Sequence, residues 1–359
     1  MRQQSKNSKQ KWHIGLIAKA NALFALFLLI SYLAVYIPPY PFWPLGLFGL
    51  AYPVLFLING LFLLFWVIVN KKYFLISLIS ILIGWNHFGN HFRVFPAKAK
   101  QAESKISLTT YNIRLSQNTG LGKEPQPFAE WLKTNTSGIL CFQESYYPAK
   151  GNKQSLQVMG PGYNTSAYHR KAGLAILSHY PAASNGLLSS EGRVFCLFAN
   201  LITNNDTIRI YNTQLASNYL DDEKTIFDKD AEIEQKELSR KASILVRKLI
   251  NGYQRRVKEV RILKKHIAQS PYPVVLCGDF NNTPMSYTYH QLKSNRFADS
   301  FRMQQSVGIG NTYIGKMPPI RIDYVLHDKN FETLSYKRIK ENFSDHYPLK
   351  VILSLPNKQ

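Results

Sequence analysis

VVLCGDFNNTPMS, residues 274–286, decides how the rest of this chain is read. An apolar run, Val274 to Cys277, ends abruptly in Gly278, Asp279, Phe280 and Asn281, and a turn-forming Asn282, Thr283, Pro284 follows at once. That is how a buried strand delivers polar groups to the end of a sheet. Such ends are where α/β proteins place their chemistry, because the strand fixes the backbone while the turn exposes the side chains. Asp279 and Asn281, two apart, point the same way on an extended chain. Taken alone, the stretch reads equally well as a loop whose Asx side chains satisfy local backbone amides.

Working outward, the same pattern recurs. KISLTTYNI (105–113) alternates as a strand does and ends near Asn112; a short helix over 128–134 precedes SGILCFQES (137–145), an apolar strand ending in Gln143 and Glu144. GLAILS (173–178), VFCLFANLI (194–202), TIRIYNTQL (207–215), IDYVL (322–326) and LKVILSL (349–355) are further strands, and residues 233–268 are charged with helical period. Many strands with few helices predict two packed sheets flanked by helices.

Five strand ends now carry carboxylates, amides or imidazole: Asn112, Glu144, Asp279 with Asn281, Asp323, and Asp345 with His346 in SDHYPL (344–349). Phosphate-ester hydrolysis needs this inventory. Oxygen ligands hold a hard divalent ion such as magnesium, with manganese as a substitute. An Asp orients or deprotonates the attacking water, amides hold phosphoryl oxygens, and an imidazolium stabilises the developing charge. No Cys or His cluster has the spacing of a zinc site.

LTTYNIR, CFQES, YNTQLAS, CGDFNNTP, RIDYVL and SDHYPL stand in the order, and at about the spacings, of the endonuclease/exonuclease/phosphatase superfamily, which the chain resembles over residues 105–356. That superfamily includes pancreatic deoxyribonuclease, abasic-site endonucleases, neutral sphingomyelinases and inositol polyphosphate phosphatases. The resemblance implies a four-layer α/β/β/α sandwich of two mixed sheets. It also implies roles. Glu144 looks like the principal metal ligand, with Asn112 and Asp345 on the metal side. Asp279 resembles the residue that orients or activates water, and Asn281 the amide on a phosphate oxygen. His346 resembles the imidazole on the scissile phosphate, and Asp323 the carboxylate that buttresses it. Gln214 stands where the motif usually carries His; Gln can donate to a phosphoryl oxygen but cannot carry a proton or a charge. HRKAGLAILSHYP (169–181) resembles the glycine-led strand beside the substrate cleft, with Arg170 and Lys171 as candidate phosphate contacts. The other histidines beyond residue 105, 169, 179, 266, 290 and 327, read as surface or structural groups.

The first hundred residues are a different physical object. No Asp or Glu precedes Glu103, and Leu, Ile, Phe and Val dominate. Apolar helices are expected over about 20–36, 45–69 and 73–88 within an all-α membrane region, residues 1–92, followed by a tether, 93–104. The third is shorter than the ~20 residues a span usually needs. The lysines before residue 20 and at 71–72 orient the N-terminus to the cytoplasm. If the third helix spans, the catalytic domain is extracytoplasmic, in a bacterium periplasmic; if it lies in the interface, the domain is cytoplasmic.

Ten of the 44 Lys and Arg precede Glu103, so the remainder sets 34 bases against 22 acids, a net of +12. That balance favours anionic partners. Nucleic acid fits the charge, including the run RRVKEVRILKK (255–265), whereas a phospholipid or inositol-phosphate head group fits the anchor. A binding module that retains the fold with weak catalysis is the rival of another class. The three cysteines lie in apolar runs and read as buried, inert thiols.

Overall fold

The structure, a computed structural model, describes residues 2–114, 126–145, 163, 165–203, 206–217, 235–315, 319–341 and 343–355. Its contacts divide the chain into two units, Met1–His91 with Thr283–His290, and Phe92–Asn282 with Gln291–Gln359.

The first unit holds α1 (Arg2–Leu33), α2 (Trp43–Val69), α3 (Phe74–Ile83) and α4 (Trp85–His91). Trp12–Leu33 and Trp43–Val69 are long and apolar enough to cross a membrane. The first helix thus begins well before the expected residue 20. The third segment is not one helix: it breaks at Gly84, where a Cβ would overlap the Tyr32 ring. Buried polar side chains join α1, α2 and α3. Asn21 Nδ2 donates to Ser77 Oγ at 2.7 Å, Trp66 Nε1 to Asn21 Oδ1 at 2.9 Å, and Ser77 Oγ to Asn59 Oδ1 at 3.3 Å. Where water is scarce, such bonds and small residues such as Ser hold helices together.

The second unit opens with β1 (Phe92–Arg93), then β2 (Lys105–Asn112), α5 (Gln126–Thr134), β3 (Ile139–Gln143), β4 (Thr165–His169), β5 (Leu174–Ser178), β6 (Ala182–Ser190), β7 (Arg193–Ile202) and β8 (Thr207–Gln214). It continues through α6 (Gln235–Ala268), β9 (Val274–Asp279), β10 (Phe297–Asp299), β11 (Gly308–Ile309), β12 (Asp323–Asp328), β13 (Thr333–Arg338) and β14 (Leu349–Ser354), while α7 (Tyr287–Lys293) starts in the first unit's Thr283–His290 segment and ends in the second. One sheet runs β13-β14-β2-β3-β5-β4, the other β10-β12-β9-β8-β7-β6, and β1 pairs with β11 in a separate ribbon. Positions 233–234, expected to open the long helix, lie outside the described residues.

The two-residue period of a strand explains both core and site. Ile106 and Leu108, Ile139 and Cys141, Ile208 and Ile210, Val275 and Cys277, and Val325 meet in one buried cluster between the sheets. Continuing each series by two reaches Asn112 through Thr110, then Gln143, Asn212 and Gln214, Asp279 and Asp323. The apolar interlayer therefore turns polar at one end. Gln143 Nε2 donates to Asn212 Oδ1 at 2.5 Å, and Asn212 Nδ2 to the carbonyls of Phe142 and Ala175 at 2.8 and 2.9 Å, joining the sheets at that end. On the outer face of the first sheet, Phe128, Trp131 and Leu132 of α5 pack on Tyr111, Leu140, Phe142 and Leu177. On the second, α6 lays His266 against Phe198 and Tyr211. The result is the α/β/β/α sandwich. Cys141, Cys196 and Cys277 are free and buried.

Candidate active site

Two parallel strand pairs build the site. β2 with β3 and β8 with β9 run the same way, so Asn112 lies beside Gln143 and Gln214 beside Asp279, all at carboxyl ends. The antiparallel β12 begins where β9 ends, with Asp323 opposite Asp279. β14 enters beside β2 at Leu349 opposite Thr110, which delivers residues 344–348 to the same edge.

The side chains then meet across the sandwich. Asn112 Nδ2 donates to Glu144 Oε1 and to Asp279 Oδ2, both at 3.1 Å, and Gln214 Nε2 donates to Glu144 Oε1 at 2.7 Å. Glu144 takes a left-handed φ of 51° immediately after β3, which turns the half-buried carboxylate out of the strand. Asp279 Oδ1 accepts from the Asn281 backbone N–H at 2.8 Å. Asn281, also left-handed at φ 50°, gives its amide to Leu215 O at 2.9 Å and Asp279 Oδ2 at 3.1 Å, so in this structure it orients Asp279. Burial, and then the charge of Asp323, raise the Asp279 pKa to about 7. A carboxyl so poised suits proton transfer at neutral pH.

His346 Nδ1 lies 2.9 Å from Asp323 Oδ2, both residues being buried. Burial works against the imidazolium, but the charge and hydrogen bond of Asp323, with Asp279 and Asp345 beyond, push the pKa up to about 10. The Tyr313 ring stands edge-on to His346 at 5.2 Å, and Thr312 Oγ1 accepts from the Ile322 and Asp323 N–H groups at 3.0 Å. Asp345 is ion-paired with Arg114.

One oxygen each of Asp279 and Asp323 and a ring nitrogen of His346 lie within 4.8 Å of one another. With its Nδ1 committed to Asp323 and its charge retained, His346 makes a poor metal ligand. The carboxylates fit a cation better. Glu144, Asp279, Asp323 and Asp345 face two cations, Arg114 and His346, which leaves two negative charges uncompensated when all are ionised. The donors are hard oxygens, the set a divalent ion of the magnesium type takes.

The sequence-predicted residues Asn112, Glu144, Gln214, Asp279, Asn281, Asp323, Asp345 and His346 are therefore at one end of the sandwich. Arg170 is exposed on a turn whose Gly173 carbonyl accepts from Ser145 N–H at 2.8 Å, next to Glu144, without a described contact to the others. His266 bonds Tyr211 Oη at 2.7 Å, and His327 bonds Thr333 Oγ1 at 2.6 Å, both in structural settings. Sequence reasoning missed three supports. Arg114 was visible only as the residue two after Asn112. Thr312 and Tyr313 sit in a segment without periodicity. The third is a clamp from α6: Glu259 accepts from Arg193 at 2.6 Å and from Ala216 N–H at 2.8 Å, and buried Arg256 donates to Ala216 O at 2.6 Å. Arg193 also donates to Gln214 O at 3.0 Å, so the clamp holds the strand end that carries Gln214. The basic run 255–265 is thus partly inward-facing.

Residues 109–346 match the model of the Endonuclease/Exonuclease/phosphatase family, and residues 15–91 match a domain of unknown function, DUF8431. Among solved structures, an endonuclease/exonuclease/phosphatase family protein from Bacteroides thetaiotaomicron matches with a TM-score of 0.50 at 15% identity, covering 70% of this chain and 98% of that one. Humanized D. rerio TDP2 matches with a TM-score of 0.51 at 14% identity, covering 70% of this chain and 100% of that one. A 3′ phosphatase from Neisseria, bound to product DNA hairpin, matches with a TM-score of 0.48 at 18% identity, covering 68% and 98%. No curated protein matches the chain.

Proposed function

The chain belongs to the endonuclease/exonuclease/phosphatase family and is a metal-dependent hydrolase of phosphate esters, and from that premise we propose that it is a membrane-tethered phosphodiesterase of nuclease-like action, in which water attacks phosphorus in line. The observation that carries this reading is the pairing of Asp279, poised near pH 7, with an imidazolium held by Asp323. Asp279 takes the proton of the attacking water. His346 stabilises charge on the phosphoryl oxygens, and Asp323 keeps it protonated. Gln214 spends one N–H on Glu144 and retains the other for a phosphoryl oxygen. Asn281 holds Asp279 in place and is the amide proposed to meet a phosphate oxygen when substrate binds. Magnesium, with manganese as a substitute, is the ion proposed; Glu144, Asn112 and Asp345 would hold it, and it would supply Lewis-acid polarisation of the phosphate. The full chain in detergent is expected to hydrolyse an activated phosphodiester with magnesium. Activity that survived chelation would sink the reading.

Gln214 cannot protonate a leaving group, so Gln214→His is expected to raise turnover by roughly tenfold. Unchanged kcat would remove this position as a limit on rate.

On this reading residues 1–92 form the anchor and the catalytic domain stands on the side opposite the N-terminus, periplasmic in a bacterial inner membrane. Three contacts support it. Ser77 bonds Asn59, near the middle of α2; the Tyr32 hydroxyl donates to Ser80 O at 2.9 Å; and Tyr32 stacks on His87 at 5.6 Å. The segment of α3 and α4 thereby climbs from the basic 71–72 turn to the far end of α1. Protection of an exposed engineered cysteine in the domain from an impermeant thiol reagent, in intact cells, would refute this side.

A second reading, hydrolysis of a phospholipid or inositol-phosphate head group, is favoured by the way residues 93–104 are held. Ala97 N–H donates to Gln304 O and Lys100 N–H to Leu334 O, both at 2.9 Å, so the expected tether is pinned along the domain. Comparing DNA, RNA, sphingomyelin and inositol phosphates as substrates separates the two.

A further inference from the structure

The ribbon of β1 and β11 pairs Phe92 with Ile309 and Arg93 with Gly308. Residues opposite one another share a face, so Phe92 and Ile309 stand together, and Val94 and Val307 follow at the same end of the ribbon. Phe92 is half-buried, and the apolar residues around it are exposed. Val94 is 44% exposed, Phe95 77%, Val307 59% and Ile309 54%. Exposed large apolar residues elsewhere in this unit are few and separate: Leu187 and Ile202 are the others among the described residues. A contiguous apolar cluster on a soluble domain marks an interaction surface.

We propose that this ribbon inserts its apolar tip into the lipid bilayer and docks the catalytic domain on the membrane surface. The inference rests on the reading of α1 and α2 as membrane spans. Chain continuity identifies the occupant. Phe92 is the residue directly after His91, where the helical unit ends, so no linker separates the ribbon from the anchor. Nor is there slack further on, because Ala97 and Lys100 are hydrogen-bonded to the domain. Whatever faces Phe92 to Phe95 is therefore within a few residues of the bilayer. The charges agree: Arg93 lies within β1 and Lys98 follows it, and Arg338 donates to the carbonyls of Ile309 at 3.2 Å and Asn311 at 2.6 Å, so that docking would set cations at head-group level around an apolar tip. That combination of apolar residues ringed by Lys and Arg is what an interfacial segment needs on an anionic membrane.

The ribbon is also connected to the chemistry. Three residues after Ile309 comes Thr312, which accepts the N–H of Asp323, and then Tyr313, which bridges to His346. Docking would hold the loop that supports the imidazole at the bilayer surface, where substrate carried by the membrane is concentrated.

Depth-dependent quenching tests it on the full chain. All three native cysteines are buried, so single exposed cysteines introduced as Val307→Cys, Leu61→Cys on the α2 face and Ser189→Cys can be labelled selectively with an environment-sensitive dye. Ser189 lies on β6, the edge strand of its sheet opposite β10. The protein is reconstituted into phosphatidylcholine/phosphatidylglycerol vesicles containing nitroxide-labelled lipid. Dye at 307 is expected to be quenched more than dye at 189 by at least about threefold, with dye at 61 quenched as well. Quenching at 61 without quenching at 307 overturns the docking and leaves the anchor standing. Absence of quenching at both positions overturns the anchor reading and the docking with it. A dye at 307 that is shielded from water yet unquenched by lipid means a protein covers the patch, and this too overturns the proposal.

Discussion

Asp279→Asn lowers kcat/KM toward an activated phosphodiester by about 10²- to 10⁴-fold, the range of a lost general base. The new amide occupies the same volume, so the core around it, closed by the tilted rings of Phe280 and Tyr324 with centroids 4.7 Å apart, is kept. What it cannot keep is the pattern of acceptors. Asp279 Oδ2 accepts from both Asn112 Nδ2 and Asn281 Nδ2, and an amide nitrogen placed there faces two donors. Stability therefore falls by about 1–3 kcal/mol, the cost of buried donors left unpaired. Measuring kcat/KM beside the thermal midpoint separates the effects. A folded variant with parental kcat/KM would remove Asp279 from the water-handling role, and an unfolded one shifts the test to Asp279→Glu, which keeps the charge and moves it by one methylene.

Asp323→Asn moves the alkaline limb of the pH–rate profile down from the region of pH 10 toward the ordinary imidazole value. Burial alone would press the His346 pKa below 6.5; the charge and hydrogen bond of Asp323 do most to lift it to about 10, with Asp279 and Asp345 adding to them. The sign follows from which state binds the proton. With a folded value above the ordinary 6.5, the imidazolium contributes stability that is fully present below pH 6.5 and is lost as pH rises through about 10. Without the Asp323 charge, both that stability and the charge offered to phosphate disappear at lower pH. At pH 8 to 9 activity is expected to fall by about 10²-fold or more, as for removal of a charge-stabilising donor, while below pH 6 the loss shrinks. An unmoved alkaline limb would show that another group sets it.

The site was legible because a strand writes its destination into the sequence. The apolar alternation of Leu108, Cys141, Ile210 and Cys277 selects one face, and the polar residues that continue each series, Asn112, Gln143, Gln214 and Asp279, must emerge from the same interlayer. Elements with no such contrast were not legible. β6, AASNGLLSS, is a largely exposed edge strand of small residues, and β4, β10 and β13 lack an apolar run of useful length. The need for glycine at 84 is set by the close approach of Tyr32, a contact between segments far apart in sequence. The clamp of Arg193, Arg256 and Glu259 was hidden for a related reason. A charged residue inside a basic helix looks solvated until its partner, the backbone of Ala216, is known to lie beside it. Arg114 was equally opaque, since its carboxylate, Asp345, lies 231 residues further along the chain.

The place of β14 between β13 and β2 bears on when the protein becomes active during its own synthesis. Until residues 344–354 have been made, the first sheet remains in two pieces, and Glu144 and Asp279 exist without Asp345 and His346. Pairing Leu349 with Thr110 closes a long loop, which is a slow and late event in the assembly of a sheet. A polypeptide still emerging from the ribosome is therefore an unarmed hydrolase. Chemistry against phosphate esters begins only once the last strand has paired with the first.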